Sequence, residues 1–267
     1  MSMQKTTFFS LIVITFIIAC VKVPITNRKQ MKLLPESMLQ NMSLTEYKKV
    51  ITAGPLSKNT TDVNRIKNIG SNVSVAIATY LKSHNGQSRL DGVNWEFNLI
   101  ESNLENAWCM PGGKVAFYSG LLPLCKDDNG IAVVMGHEIA HAIARHGNER
   151  MSQQMLLQTG QITLALAMQS KPQETQKLFM TAYGIGTEVG LALPYSRMHE
   201  SEADKMGLIF MAMAGYDPKT AIDFWKRMSQ AGGQKPPQIL STHPSDEKRI
   251  KDLQDFMPQA LKYYNKK

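Results

Sequence analysis

Residues 136–148, Gly-His-Glu-Ile-Ala-His-Ala-Ile-Ala-Arg-His-Gly-Asn, decide how the rest of the chain is read. At about 100° per residue, His137, His141 and Glu138 fall at about 0°, 40° and 100° around a helix, so two imidazoles and a carboxylate share one face. Two ring nitrogens can then bind one Zn²⁺ while Glu138 reaches a water beside it. Ile131, Ala132, Val133, Val134, Met135, Ile139, Ala140, Ile143 and Ala144 make this helix apolar nearly all round, which predicts burial. An unpaired carboxylate would be costly there, and a metal is its natural partner. Asp127 or Asp128 can cap the start of the helix and Gly147 its end.

His137, Glu138 and His141 spell H-E-x-x-H, the pattern of zinc peptidases. Such a site needs a third protein ligand. The metzincin spacing would require Gly at 144 and His at 147, but the chain has Ala144 and Gly147, which excludes that class. His146 lies about 140° further round than His141, a poor angle for the same ion, and reads as a capping or supporting histidine. The other candidate run is Ser196 to Asp204. Glu200 and Asp204 are next-turn neighbours on a helix, so one carboxylate can bind zinc while the other hydrogen-bonds the far nitrogen of a ligand histidine. Glu202 lies about 200° from each and reads as a solvated or structural carboxylate. His199 is likewise not expected to bind the metal.

Glu200-Ser201-Glu202-Ala203-Asp204 resembles the E-x-x-A-D element of the M48 family of zinc metallopeptidases. The resemblance implies that Glu200 is the third ligand and that Asp204 orients His137. Asn106-Ala107-Trp108 followed by Pro111-Gly112-Gly113 and Gly120-Leu121-Leu122 is similar to the family's N-A-F…P-G-G…G-L-L stretch. There it implies an edge strand over the cleft, where Asn106 and Ala107 contact the main chain of an extended substrate. His243-Pro244 with Arg249-Ile250 resembles the family's late H-P…R-I element. His243 is then expected either to donate to the oxyanion or to occupy the fourth zinc position in a resting state. The order and flanks of these elements look closest to the short, lipoprotein-type members.

The N-terminus predicts an address. Lys5 precedes the apolar run Phe8–Ala19, too short to span a bilayer and suited to a signal-peptide core. Ile17-Ile18-Ala19-Cys20 resembles a bacterial lipobox, which implies removal of residues 1–19 and lipid on Cys20. Val21 in place of Asp points to an outer membrane, facing the periplasm. Residues 20–42 are expected to be a lipid anchor and tether, and 43–267 one metallopeptidase domain with a single core. Cys109 and Cys125 can pair or remain thiols. The net charge of +8 reads as a solvated basic surface near an anionic membrane, with no nucleic-acid partner.

Helical patterns occupy roughly 44–52, 60–84, 128–170, 173–191, 197–214, 218–230 and 245–256, and strand signals are confined to 93–100 and 115–118. The expected fold is α+β, mainly helical and zincin-like, with a small sheet over the active-site helix. The expected function is zinc-dependent cleavage of misfolded or misassembled envelope proteins, with one Zn²⁺ held by His137, His141 and Glu200 and Glu138 as general base. The competing reading is a latched or chaperone-like quality-control protein whose zinc is structural. An intact Glu138 argues against it, since structural zinc has no need of a base.

Overall fold

The computed structural model describes residues 19–159, 172–182, 196–231, 237–243 and 247–264. The expected signal-peptide core up to residue 18, the part of the 173–191 helical pattern beyond Ala182, and the predicted helix start at Ser245 lie outside these residues.

The buried helix is α4 (Asp128–Ala144), following α1 (Glu36–Ala53), α2 (Thr60–Ser83) and the short α3 (Leu122–Cys125). The Asp127 side chain accepts from Gly130 N–H and caps its start, as the sequence suggested. Its end departs from expectation. Arg145, not Gly147, takes the left-handed conformation, at φ 61°, and its N–H closes onto the carbonyls of Ala142 and His141. The chain then restarts at once as α5 (His146–Thr159), so the single pattern over 128–170 contains a break.

Against α4 lie α7 (Arg197–Met213) and α8 (Thr220–Gln230), and α10 (Glu247–Ala260) packs on both of these, with α6 (Pro172–Ala182) beside α5 and the short α9 (Ile239–Thr242) before His243. A three-stranded sheet covers the other side in the order β3 (Glu96–Ile100), β5 (Lys114–Tyr118), β4 (Ala107–Met110). The β3–β5 pair is parallel and β5–β4 antiparallel, the latter turned by Gly112 and Gly113 at φ of 80° and 79°, values that favour glycine. Alternation splits β4 cleanly. Ala107 and Cys109 pack into the cluster that contains α4, whereas Trp108 and Met110 pack with Leu39 and Tyr47 of α1. The fold is mainly helical with a small sheet over the metal-site helix, as expected.

One segment behaves differently from its reading. Residues 20–42 do not hang free. They form β1 (Ala19–Lys22) paired antiparallel with β2 (Lys29–Lys32), then the first turns of α1. Val23, Leu34 and Leu39 are fully buried, Arg89 donates to both Lys22 O and Ile143 O, and Asn148 donates to Leu34 O. Apolar anchors and satisfied backbone carbonyls, not sequence hydrophobicity, hold this strap to the body. Among the described residues no helix is long and apolar enough to cross a membrane.

Candidate metal centre

Two helices bring the chemistry together because neither has a side chain at the crossing. An ideal Cβ on Gly136 of α4 would lie 3.0 Å from the carbonyl oxygen of Gly207, and one on Gly207 of α7 would lie 3.0 Å from the His137 nitrogen. This close approach sets the imidazoles of α4 opposite the carboxylates of α7. On α7, Ser196 caps the first turn by accepting from His199 N–H, and Glu200 follows in that turn. His243, just past α9, reaches the same point, with its N–H bound to Ile239 O at 2.8 Å.

Each of His137, His141, Glu200 and His243 offers one ligand atom to a buried group in which these atoms all lie within 4.8 Å of one another. His137 Nε2 is 3.1 Å from His141 Nε2 and 3.2 Å from His243 Nδ1. Glu200 Oε1 stands 3.0 Å from His243 Nδ1 and 3.3 Å from His141 Nε2, and Oε2 stands 3.4 Å from His137 Nε2. Donors at about 2.0–2.1 Å from a tetrahedral Zn²⁺ are separated by roughly 3.3–3.4 Å, so the spacing fits that ion. Burial alone would raise the Glu200 carboxyl, but His243, Arg249 and His137 hold it well below its usual range, as a ligand requires.

Glu138 is buried beside this group, with His243 Nε2 3.5 Å from its Oε1, which makes no hydrogen bond among the described residues. Burial pushes its carboxyl up to about 7, the range in which a general base can take and return a proton. The predicted partner of His137 is in place: Nδ1 lies 3.0 Å from Asp204 Oδ1. Behind it is a residue to which the sequence reading gave no role. Arg249 donates twice to Asp204 at 2.7 Å and pairs with Glu200 at 2.9 Å, its guanidinium 3.4 Å from the Trp225 ring centre. Only its place six residues after His243, in the H-P…R-I resemblance, hinted at this.

Asn106 and Ala107 are buried at the start of β4, an edge of the three-stranded sheet, and Glu105 O accepts from Ile239 N–H, which ties that edge to the His243 turn. His199 stands outside the donor group, its Nε2 3.0 Å from Glu149. Glu202 is not solvated: it is 4% exposed and held by His146, Arg28 and Thr26. Cys109 and Cys125 are both buried free thiols. Cys20 lies in β1 opposite Met31.

Fold and site together define a metallopeptidase of the H-E-x-x-H type. Peptidase family M48 matches residues 73–257, most of the chain, and the protein belongs to that family, whose members use zinc. It is 32% identical over 240 residues to the mitochondrial metalloendopeptidase OMA1 of Schizosaccharomyces pombe, covering 89% of this chain and 66% of the relative. The human mitochondrial metalloendopeptidase OMA1 is 29% identical over 264 residues, covering 95% of this chain and 49% of the relative. The β-barrel assembly-enhancing protease of Escherichia coli is 29% identical over 167 residues, or 60% of this chain and 34% of the relative. The chain thus spans between a third and two thirds of these relatives' lengths.

These relatives overturn the address read from the N-terminus. A periplasmic position on a bacterial outer membrane does not stand against mitochondrial relatives from yeasts, a plant and animals, with the bacterial one matching a shorter stretch. The address rested on five residues, Ile17 to Val21, a pattern too short to outweigh similarity over 240 residues.

Proposed function

We propose that the chain is a zinc-dependent endopeptidase of protein quality control, acting on unfolded segments of misfolded or misassembled proteins. One observation carries this reading: the Glu138 carboxyl lies buried beside a four-donor metal group, with Oε1 making no hydrogen bond among the described residues. A structural zinc has no use for such a carboxylate, whose burial without a strong partner lowers stability. The quality-control part draws on the assembly-enhancing relative, and the endopeptidase part on the mitochondrial metalloendopeptidases.

Zinc, when bound, supplies a Lewis acid that polarises the scissile carbonyl and acidifies the attacking water. The chain's own residues do the rest. Glu138 accepts the proton of the attacking water and returns it to the leaving amine. Asp204, held by Arg249, fixes the ring of His137. β4 offers its edge, with Asn106 and Ala107, to an extended backbone, which selects unfolded over folded substrate. Four protein donors would close the centre, whereas a catalytic zinc keeps one position open. We therefore read His243 as a latch that must swing away before cleavage, the specific feature shared with the latched alternative.

Purified chain with one zinc should cleave unfolded casein, and Glu138→Gln should keep the zinc yet lose at least ~10² in rate. Near wild-type cleavage by Glu138→Gln would sink this mechanism. A zinc-loaded wild type that binds unfolded protein without ever cutting it would favour the chaperone-like alternative.

A further inference from the structure

An imidazole that gives one nitrogen to a metal carries its proton on the other, and the acceptor of that proton fixes the ring's orientation. For His137 the acceptor is Asp204. For His141 the atom at hand is Nδ1 of another histidine, His146, at 2.9 Å. With Nε2 of His141 in the donor group, its proton sits on Nδ1, so His146 must accept at Nδ1 and keep its own proton on Nε2. That second proton points to Glu202 Oε2, 3.2 Å away. The alternation of donor and acceptor therefore needs a Glu202 oxygen held in that place as an acceptor.

A carboxylate 4% exposed has little water to hold it and takes its place from its protein partners. Its partner comes from far away in sequence. Arg28, in the turn of the β1–β2 strap, donates through Nε to Glu202 Oε2 at 2.8 Å, and Thr26 donates its hydroxyl to Oε1. The other two guanidinium nitrogens of Arg28 grip Glu149 at 2.8 and 2.7 Å, which holds the fork in one orientation.

We propose that Arg28 is a positioning residue of the zinc centre, acting through Glu202 and His146 on His141. The strap, on this view, belongs to the metal site. The guanidinium fixes the place of Glu202, Glu202 fixes the tautomer and tilt of His146, and His146 aims His141 Nε2 at the donor group. The proposal rests on His141 being a ligand. It differs from a purely mechanical role for the strap, because a second arginine, Arg89, also clasps it, through Lys22 O and Ile143 O, without entering the relay.

The test is zinc affinity of the purified full chain, measured by competition with a chromogenic chelator, with far-UV circular dichroism of each metal-free variant as a folding check. Arg28→Gln should weaken zinc binding by roughly tenfold, the lower end of what loss of an orienting partner costs. In a His146→Ala background it should weaken it no further, because the relay is already cut. Arg89→Gln, which loosens the strap elsewhere, should stay within about twofold of wild type. If Arg28→Gln does not fold, Thr26→Val removes the other donor to Glu202 with little change of shape. It should weaken zinc binding by about threefold in the wild-type background and not in His146→Ala. Wild-type affinity in Arg28→Gln, or in Thr26→Val where that stands in, overturns the relay. So does an equal loss with and without His146, or an equal loss in Arg89→Gln. Undiminished zinc in His141→Ala would instead overturn the reading of the metal centre itself.

Discussion

Gly136 and Gly207 meet backbone to backbone, so closely that a Cβ on Gly207 would stand 3.0 Å from the main-chain nitrogen of His137. The residue that begins the H-E-x-x-H motif thus rests on the helix that carries Glu200 and Asp204. Ligand geometry is inherited from helix packing, since a change in the α4–α7 distance moves every imidazole-to-carboxylate distance at once.

Gly207→Val should therefore damage the site through the fold. The added branches have no space, so stability should fall by about 1–3 kcal/mol, the usual cost of overpacking. Zinc affinity should fall with it, by at least ~10-fold, because Glu200 retreats from His137 and His141. Chemical denaturation and metal competition on the same variant check this. Lost stability with intact zinc affinity would show that the glycine contact does not set the ligand distances.

Glu200 and Asp204 should separate by degree. Glu200→Ala removes a donor atom and should leave zinc occupancy after dialysis close to zero. Asp204→Asn keeps the shape but weakens the hold on His137 Nδ1, and should cost roughly 10–100-fold in affinity. It also leaves Arg249 buried with less compensation, which should lower the unfolding free energy. Equal zinc content in the two variants by atomic absorption would mean that their roles have been distinguished incorrectly.

The parts of this site legible in the sequence are those that rest on local periodicity. The helix expected at 60–84 is α2, Thr60–Ser83, and the 3.6-residue repeat alone places His137, Glu138 and His141 on one face. What escaped depends on distant partners. Arg28 reads as a basic residue in a tether until Glu149 and Glu202, more than a hundred residues away, are seen around it. β4 shows no polar–apolar pattern, because Ala107 to Met110 are buried on both faces, and only the family resemblance pointed to a strand there. The break at Arg145 is hidden because the left-handed region favours glycine, and Gly147 stood two residues on as the obvious stop.

His243 offers a test of latch against oxyanion donor. If it is the fourth donor of a resting centre, His243→Ala keeps three protein ligands and should cleave unfolded casein at no less than a third of the wild-type rate or faster, about the limit of a neutral change. An oxyanion donor is worth about 10²–10³ in rate, so a loss of that size with zinc retained would assign it that role instead. Side-by-side initial rates, normalised to measured zinc content, decide the matter.

The burial that raises the Glu138 carboxyl should be measurable as a cost in the metal-free protein. Its carboxyl sits at about 7 against an ordinary 4.5, chiefly because burial penalises the charge. A raised folded pKa means that the fold prefers the protonated form. The stabilising contribution is fully present below pH 4.5 and is lost as the pH rises through 7. Glu138→Gln, neutral at every pH, lacks that loss. In the absence of zinc its unfolding free energy should match that of the wild type below pH 4.5, pull ahead between 4.5 and 7, and level off above, by a margin on the order of 3 kcal/mol. Urea unfolding of both proteins in a chelator, at several pH values, measures the gap. A gap that is flat with pH would show that Glu138 keeps an ordinary pKa in the fold, and with it the case for a base tuned by burial would fall.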